Sequence, residues 1–299
     1  MKFGAVANVD GIDFTLPEDH PGTRRILSNA GSSRVFEIYT GCAKWGKTDL
    51  RNFYPPHVKD ELSYYARQFN SIELNTLYYH FPEPDQVVKW RDRTPDKFRF
   101  FPKVTKDITH DEKLGDPKAL VERYCNGIRY FEDRLGTVFL QFHERFGPGN
   151  FRRLEEILGS FPPEIPLAVE LRHQGWFGDE QIFAKYCSLL ESLKAVNIIV
   201  DSPGRRDLLH MRLTGPVAFV RYVGANHPTD TSRLDDWVVR IRQWREQGLQ
   251  RLYFFVHQHV EAECPVLVAH FIRKLNETLH TDHPLPHIHA AGNGQLSLF

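Results

Sequence analysis

From about residue 35 onward, the chain alternates between two patterns of hydrophobic positions. Short runs rich in β-branched and aromatic residues, typical of buried strands, are separated by longer segments with the spacing of amphipathic helices. Eight such runs occur: VFEIYT from Val35, SIEL from Ser71, FRFF from Phe98, TVFLQ from Thr137, LAVEL from Leu167, NIIVD from Asn197, AFVRY from Ala218 and LYFFV from Leu252. Strands that alternate with helices predict a parallel sheet, and eight of them predict a closed (β/α)8 TIM barrel.

The segments between these runs supply the helix candidates and the domain limits. Helices are predicted over residues 60–69, 117–135, 151–158, 180–193, 234–247 and 265–279. The link between the sixth and seventh runs is the weakest, since residues 205–211 offer only about two turns. The length of 299 residues exceeds the ~250 typical of one TIM barrel. We therefore expect one barrel domain at residues 35–279, an N-terminal extension at 1–34 and a flexible tail at 280–299.

Composition and charge narrow the class of protein. Hydrophobic residues make up 41% and charged residues 25% of the chain, values ordinary for a globular protein with a buried core. Lys plus Arg and Asp plus Glu both number 38, so the formal net charge is zero. This balance gives no global attraction to nucleic acid or to an anionic membrane, and contact with a polyanion would need a local patch.

Cysteine usage and hydropathy predict a cytoplasmic protein. The four cysteines, Cys42, Cys125, Cys187 and Cys264, stand far apart and form no CxxC pair, so we expect reduced thiols. The first residues, MKFGAVANVDGIDF, lack the apolar stretch of a secretion signal. No segment approaches the ~20 apolar residues of a membrane helix, so no membrane contact is expected.

Polar residues stand where nearly every predicted strand ends. In a TIM barrel the loops after the strands build the functional site, so these positions are the candidates. The predicted catalytic residues are Glu73, Glu170, His173 and Asp201. The predicted substrate-binding residues are Trp45, Asn75, Tyr78, Lys103, His110, Gln141, Arg172, Trp176 and Arg221.

These residue types favour an anionic ligand. Arginine presents a planar fork to phosphate or carboxylate, lysine adds a movable charge, and glutamate or histidine can move a proton. We expect six charged side chains to converge on one pocket: Glu73, Lys103, Glu170, Arg172, Asp201 and Arg221.

Three structural alternatives stay open. The acids and bases could form an internal salt-bridge ring that only closes the barrel, although Asn75, Gln141, His173 and His257 would then still need partners. His110 and His173 could cap loops, and Trp45, Tyr78 and Trp176 could serve packing alone. Metal ligation by Glu73, Glu170, Asp201 and His257 is chemically possible. The three nearby cations oppose it, so neither a metal nor a cofactor is expected.

Ordered motifs along the chain resemble a known family. The matching segments are GCAKW and FYP within 41–55, FNSIELNTLYYHFPEP at 69–84, W then TP at 90–95, FPK and ITH through His110, LQF at Leu140, AVELRHQGW at 168–176, DSP at Asp201 and VRY at Val220. Together they resemble the YecE-like family, also called domain-of-unknown-function family 72, over about residues 35–275. The resemblance implies a YecE-like TIM barrel and no established reaction. Two places depart from the family pattern: His143 replaces a proline after QF, and FFVHQH replaces an asparagine-rich segment.

The last five residues, Gln295, Leu296, Ser297, Leu298 and Phe299, form a separate motif. QLSLF resembles the peptide by which bacterial polymerases and repair proteins dock on the replication sliding clamp. A short docking motif needs exposed side chains and a free backbone, which a chain terminus provides. The alternative is that its apolar side chains fold back over the barrel.

The leading functional hypothesis is an enzyme with an anion-accepting pocket at the barrel mouth. If the tail docks on the clamp, its substrates would belong to nucleic-acid processing. The alternatives are a non-catalytic module that binds phosphate or nucleic acid, and a metal-dependent phosphodiesterase or other hydrolase.

Overall fold

All eight predicted strands are present in the computed structural model, which describes residues 4–31, 33, 35–111 and 116–288. They are β1 Glu37–Cys42, β2 Ser71–Leu74, β3 Arg99–Pro102, β4 Val138–Gln141, β5 Leu167–Glu170, β6 Val196–Asp201, β7 Val217–Val223 and β8 Arg251–His257. Every paired strand runs parallel to its neighbour. The strand prediction is confirmed in number and position.

The α-helices of the described chain overlap all six predicted segments and add three more, although the helix predicted over 117–135 is α-helical only to Ile128 and continues as a 3₁₀ helix. They are α1 Pro21–Asn29, α2 Glu61–Gln68, α3 Pro84–Asp92, α4 Lys106–Thr109, α5 Lys118–Ile128, α6 Phe151–Gly159, α7 Glu180–Ser192, α8 Thr229–Gln247 and α9 Cys264–Leu279. Aspartates begin two of them: Asp60 accepts from the Ser63 amide of α2, and Asp179 from two amides of α7. The weak link between β6 and β7 is a 3₁₀ helix, Pro203–Leu208.

The prediction of a closed TIM barrel is wrong. The strands form a six-stranded sheet in the order β1-β8-β7-β6-β5-β4, and β2 and β3 form a separate two-stranded sheet. The larger sheet is an open, curled half-barrel. No strand ladder joins β1 to β2 in the part of the chain that the structure describes.

Side chains take the place of that missing ladder. The Asn70 amide group donates to the Ile38 carbonyl at 2.7 Å and accepts from the Thr40 amide at 3.1 Å. The Tyr65 hydroxyl accepts from the Cys42 amide at 2.7 Å and donates to the Ser71 carbonyl at 3.1 Å. Because these groups satisfy the free edge of β1, its backbone does not need β2 as a partner.

The contact between β3 and β4 is also incomplete. Two isolated bridges join this pair, Phe100 with Leu135 and Lys103 with Phe139. Their hydrogen bonds run from the Gly136 amide to the Phe100 carbonyl at 2.7 Å and from the Val104 amide to the Phe139 carbonyl at 2.9 Å. Each bridge uses one residue beyond a strand end, Leu135 before β4 and Lys103 after β3, so no continuous ladder forms.

The curled sheet surrounds an apolar interior, and the helices pack outside it. The interior cluster consists of Phe101, Phe139, Ala168, Val196, Ile198, Val200, Phe219, Tyr253 and Phe255. These residues occupy alternate positions along their strands, as the two-residue period of a strand requires. The side chains two positions further along each strand therefore also face inward, at the carboxyl end.

The segments on either side of this unit contact its helices. The Asp19 carboxylate accepts from Arg240 at 2.7 Å and from the Trp244 indole at 3.0 Å. After α9, the His283 amide donates to Asn276 at 2.9 Å. The C-terminal motif at 295–299 lies outside the described residues. Among the helices that are described, none combines the length and apolar character needed to cross a membrane.

Candidate functional site

Six polar side chains face inward at the carboxyl end of the strands. The strand register shows which way these side chains point. Glu73 lies opposite Phe101 and Arg221 opposite Phe255, and both phenylalanines belong to the interior cluster. The full set is Glu73, Lys103, Gln141, Glu170, Arg221 and His257. All six are buried, so their charges and hydrogen bonds must be satisfied among themselves or by a ligand.

Arg221 lies at the centre of this set, between two glutamates. Its guanidinium forms two parallel hydrogen bonds with Glu73, Nε to Oε2 at 2.8 Å and Nη2 to Oε1 at 2.7 Å. Its third nitrogen, Nη1, donates to Glu170 Oε2. Arg221 is thereby held by both carboxylates in one orientation.

The paired charges fix the protonation states. Burial alone would raise the pKa of Glu73, but Arg221 and His257 hold that pKa well below its ordinary value. Burial also opposes ionisation of Glu170, yet Arg172 and Arg221 lower the pKa of Glu170 to about 2. Burial works against the charge of Arg221 as well, and Glu170 and Glu73 more than offset it by raising its pKa. Both carboxylates are therefore ionised at neutral pH.

Further donors form hydrogen bonds with the oxygens of the two carboxylates. Glu73 accepts from the Asn75 amide at 2.8 Å and lies 3.0 Å from His257 Nε2. Glu170 accepts from Gln141 Nε2 at 2.9 Å and from Arg172 Nε at 2.5 Å. The salt-bridge alternative left four polar residues without partners. Three of them, Asn75, Gln141 and His257, have partners within this network.

Lys103 differs from the other charged groups of the site. Its Nζ donates to Gln141 Oε1 at 2.7 Å and lies 4.0 Å from the centre of the Tyr78 ring. In the described chain the two glutamates of the site form ion pairs with Arg172 and Arg221, and none joins Lys103 to a carboxylate within 4.0 Å. Burial, then the guanidiniums of Arg221 and Arg172, lower the pKa of Lys103 to about 7 despite the opposing glutamates. An amine and an ammonium are therefore both populated at neutral pH.

His110 is a neutral imidazole that packs edge-on against the Tyr78 ring, which Lys103 also contacts. The Thr109 hydroxyl donates to the Thr105 carbonyl at 3.2 Å, so it accepts from His110 Nδ1 at 2.8 Å. This pattern assigns the proton to Nδ1 and leaves Nε2 as an acceptor. Burial, then Lys103, lowers the pKa of His110 to about 4. His110 can therefore accept a proton during a reaction at neutral pH.

A cleft of about 1100 Å³ opens above this network. Its floor includes Lys103, Arg172 and Arg221, and Tyr78 and His110 form part of its wall. With Lys103 protonated, these three cations exceed the two carboxylates, Glu73 and Glu170, by one positive charge. The floor therefore favours an anionic ligand.

Asp201 lies outside this cleft, so the expected convergence of six residues holds for five. Val196, Ile198 and Val200 fill the interior, and by the parity of β6 Asp201 then faces the helical layer. Its carboxylate accepts from the Trp237 indole at 2.7 Å and pairs with Arg233 at 2.8 Å.

Two further predicted site residues, His173 and Trp176, stabilise the loop after β5. The His173 Nδ1 accepts from the Gly175 amide at 2.9 Å and caps a 3₁₀ turn. Trp176 is fully buried, and its indole donates to the Phe146 carbonyl at 2.6 Å. Trp45, by contrast, lines the cleft and packs edge-on against Trp90, with ring centres 5.9 Å apart.

Sequence reasoning missed several residues that line the cleft. His143 stands two positions after Gln141, and His259 two positions after His257. Side chains alternate between the two faces of a strand, and extending this alternation past the strand ends would have predicted both histidines. Lys44, paired with Asp49 at 2.6 Å, is a third such residue. Among the described residues, no group of three or more His, Cys, Asp or Glu is arranged to hold a metal ion.

Comparisons with known proteins agree with the motifs of the sequence. Residues 39–290 match the family model described as "Protein of unknown function DUF72". The chain is 28% identical over 264 residues to the UPF0759 protein YecE of Escherichia coli K12, covering 81% of this chain and 94% of that protein. It is 24% identical over 179 residues to the UPF0759 protein YunF of Bacillus subtilis, covering 56% of this chain and 61% of that one.

Solved structures support the fold. A DUF72 family protein from Enterococcus faecalis is similar with a TM-score of 0.68 at 18% identity, covering 84% of this chain and 100% of that one. Another, from Thermotoga maritima, has a TM-score of 0.67 at 24% identity, covering 80% of this chain and 99% of that one. These likenesses concern the fold alone. Since the family model spans most of its residues, the chain belongs to the DUF72 family, a family of unknown function.

Proposed function

We propose that this chain is an enzyme that binds a small phosphate- or carboxylate-bearing substrate in the cleft above Arg221. The observation that carries the proposal is the placement of Lys103. This side chain is 8% exposed, lies on the floor of the cleft and has no carboxylate to neutralise it within the described residues. An anionic ligand would supply the missing negative charge and would gain charge-assisted hydrogen bonds.

The residues of the cleft divide into three roles under this proposal. Arg172 and Lys103 bind the anionic group, because both line the floor. Arg221 is held in place by Glu73 and Glu170, which makes these glutamates positioning residues and not proton carriers. Lys103, whose pKa lies near neutrality, is the group best matched to move a proton at neutral pH, and the neutral His110 can relay one. Asn75, Tyr78 and Gln141 complete the binding surface.

The cleft favours a small ligand over a long polyanion. The chain has no net charge, and binding a duplex through counterion release would require several clustered cations outside the cleft. A link to nucleic-acid processing depends on the clamp-docking motif at 295–299. We place the activity in the cytoplasm as part of the proposal, because all four cysteines are free thiols.

Titration calorimetry with inorganic phosphate, sulfate and oxalate tests the proposal. We expect binding by the unaltered protein and at least a tenfold loss in Arg172→Ala, about 1.5–3 kcal/mol for a lost hydrogen bond to a charged group. Arg152→Ala, on an exposed turn of α6 with a side chain 90% exposed, is the matched control for removal of one positive charge. It should bind as the unaltered protein does.

Three results would contradict the proposal. Equal affinities for Arg172→Ala and Arg152→Ala would show that the anion binds elsewhere. Stoichiometric zinc or manganese in purified protein, lost in Glu170→Gln, would replace it with the metal-dependent hydrolase. Binding without any turnover on phosphate esters or carboxylic acids would favour a non-catalytic binding module.

A further inference from the structure

Two lysines line the same cleft in opposite electrostatic settings. Lys44 pairs with Asp49 at 2.6 Å, and its side chain is 47% exposed. Partial burial opposes the charge of Lys44, but the hydrogen bond with Asp49 raises its pKa above the ordinary value. Lys103 is buried, contacts the neutral Gln141 and lies near two guanidiniums. The more accessible lysine is thus the less nucleophilic one.

We infer that Lys103 is a nucleophile that forms an imine with the carbonyl group of a small oxo acid whose carboxylate or phosphate is bound by Arg172. The inference rests on the anion-binding cleft proposed above and names its substrate class. Lysines become nucleophilic when they are desolvated or lie next to another cation. Lys103 meets both conditions, because it is 8% exposed and the Arg172 and Arg221 side chains share its cleft floor.

The anion-binding groups and the amine are adjacent. Arg172 Nε and Gln141 Nε2 both donate to Glu170 Oε1, and Gln141 Oε1 accepts from Lys103 Nζ at 2.7 Å. Lys103 and Arg172 are therefore separated by only two side chains. The amine and the anion-binding guanidinium therefore belong to one hydrogen-bonded network on the cleft floor, where a single small oxo acid would meet both.

The step balances without an oxidant or a reductant. The lone pair of the neutral Lys103 amine adds to the carbonyl carbon while the π electrons move to oxygen. His110 Nε2 takes a proton from the nitrogen and returns it to that oxygen. The nitrogen lone pair then forms the C=N bond as the hydroxyl leaves, and the remaining N–H proton passes to that hydroxyl to give water. One amine and one carbonyl group give one neutral imine and one water.

Reductive trapping with glyoxylate and sodium cyanoborohydride at pH 7 tests this step. Glyoxylate carries an aldehyde next to a carboxylate, and hydride reduction of its imine leaves a stable carboxymethyl group on nitrogen. Peptide mapping by mass spectrometry should find this group on Lys103 at least about tenfold faster than on Lys44, because far more of Lys103 is neutral. Inorganic phosphate should slow the labelling of Lys103 and leave that of Lys44 unchanged.

Acetaldehyde is the matched probe without an anionic group, and it should label Lys103 at least tenfold more slowly than glyoxylate. Lys103→Arg keeps the charge but cannot form the imine, so it should gain no label at position 103. If Lys103→Arg does not fold, the comparison of Lys103 with Lys44 in the unaltered protein decides alone.

The outcomes separate this inference from the proposed function. Unlabelled Lys103 in a protein that still binds phosphate overturns the imine and leaves the anion-binding cleft standing. Labelling of Lys103 at equal rates by both aldehydes, with no phosphate binding, overturns both. Faster labelling of Lys44 than of Lys103 overturns the imine whatever the anion result.

Discussion

Arg221 and Glu73 form a two-pronged ion pair at the floor of the cleft, with distances of 2.8 Å from Nε to Oε2 and 2.7 Å from Nη2 to Oε1. The arginine side chain is 2% exposed and that of the glutamate fully buried. These residues come from β7 and β2, which lie in different sheets. The pair therefore joins the two-stranded sheet to the six-stranded one where no strand ladder connects them.

Replacing Arg221 with methionine should destabilise the protein strongly. Glu73 and Glu170 would remain buried without their shared cation, which typically costs about 3–5 kcal/mol. Both carboxylates would then resist ionisation, so the loss should shrink as pH falls from 7 toward 5 and they take up protons. Urea denaturation at both pH values measures this.

Arg251→Met is the matched control for the Arg221 substitution. Arg251 pairs with Glu37, and both side chains are about two-fifths exposed, at 43% and 39%. An exposed pair of this kind contributes about 0–1 kcal/mol. If Arg221→Met loses no more stability than Arg251→Met, the central role of Arg221 is refuted.

Asp201→Asn should lower stability without changing anion binding. The carboxylate pairs with Arg233 and accepts from the Trp237 indole in the helical layer, so loss of its charge should cost about 1–3 kcal/mol. Calorimetry with phosphate should give the same affinity as the unaltered protein. A tenfold weaker affinity would place Asp201 in the functional site after all.

The lowered pKa of Lys103 predicts a particular dependence of stability on pH. The unfolded chain keeps a proton on this lysine up to its ordinary pKa near 10.4, whereas the folded protein releases it near pH 7. The unfolded state therefore binds more protons in this window, and stability gains from this group as pH rises.

Lys103→Met removes this contribution. Relative to the variant, the unaltered protein should gain about 2 kcal/mol in unfolding free energy between pH 7 and pH 9. Paired urea titrations at the two pH values measure the difference, in which the other titrating groups cancel. A constant difference across this range would mean that Lys103 stays protonated, and would remove support from its nucleophilic role.

The terminal QLSLF motif is expected to bind a bacterial replication clamp. Burying Leu296, Leu298 and Phe299 contributes ~1.5–3 kcal/mol each, and ordering a free tail offsets part of this, which leaves about micromolar affinity. Gln295→Ala should weaken binding by about 1–3 kcal/mol if its amide has a buried partner. Fluorescence polarisation with the labelled peptide and a purified clamp measures both.

Removal of residues 295–299 from the full chain supplies the control. We expect the melting temperature to stay unchanged and clamp binding to disappear in a surface-plasmon assay. A truncated protein that binds the clamp equally well, or that melts several degrees lower, would mean that the motif is structural, and the proposed link to replication would fall.

The pattern of residues along the chain predicts the eight strands and most of the helices. A short apolar run between polar segments is a local signal for a buried strand. Val138–Gln141 and Arg251–His257 could therefore be predicted from the pattern alone. It also supplied the candidates Glu73, Lys103, Glu170, Arg172 and Arg221, because the carboxyl ends of parallel strands share one face. The motifs pointed to the DUF72 family, and the family model agrees.

How these parts combine depends on contacts that exist only in the folded chain. Whether strands close into a barrel depends on which groups satisfy each edge, and the Asn70 and Tyr65 side chains take positions on β1 that a strand would otherwise occupy. Whether a residue at a strand end enters the site depends on which face of the strand its position occupies. Asp201 occupies the outer face of β6 and contacts Trp237 in the helical layer. The pKa of Lys103 depends on guanidiniums from distant parts of the chain. Burial and electrostatic coupling are properties of neighbours in space, and the order of residues along the chain does not specify them.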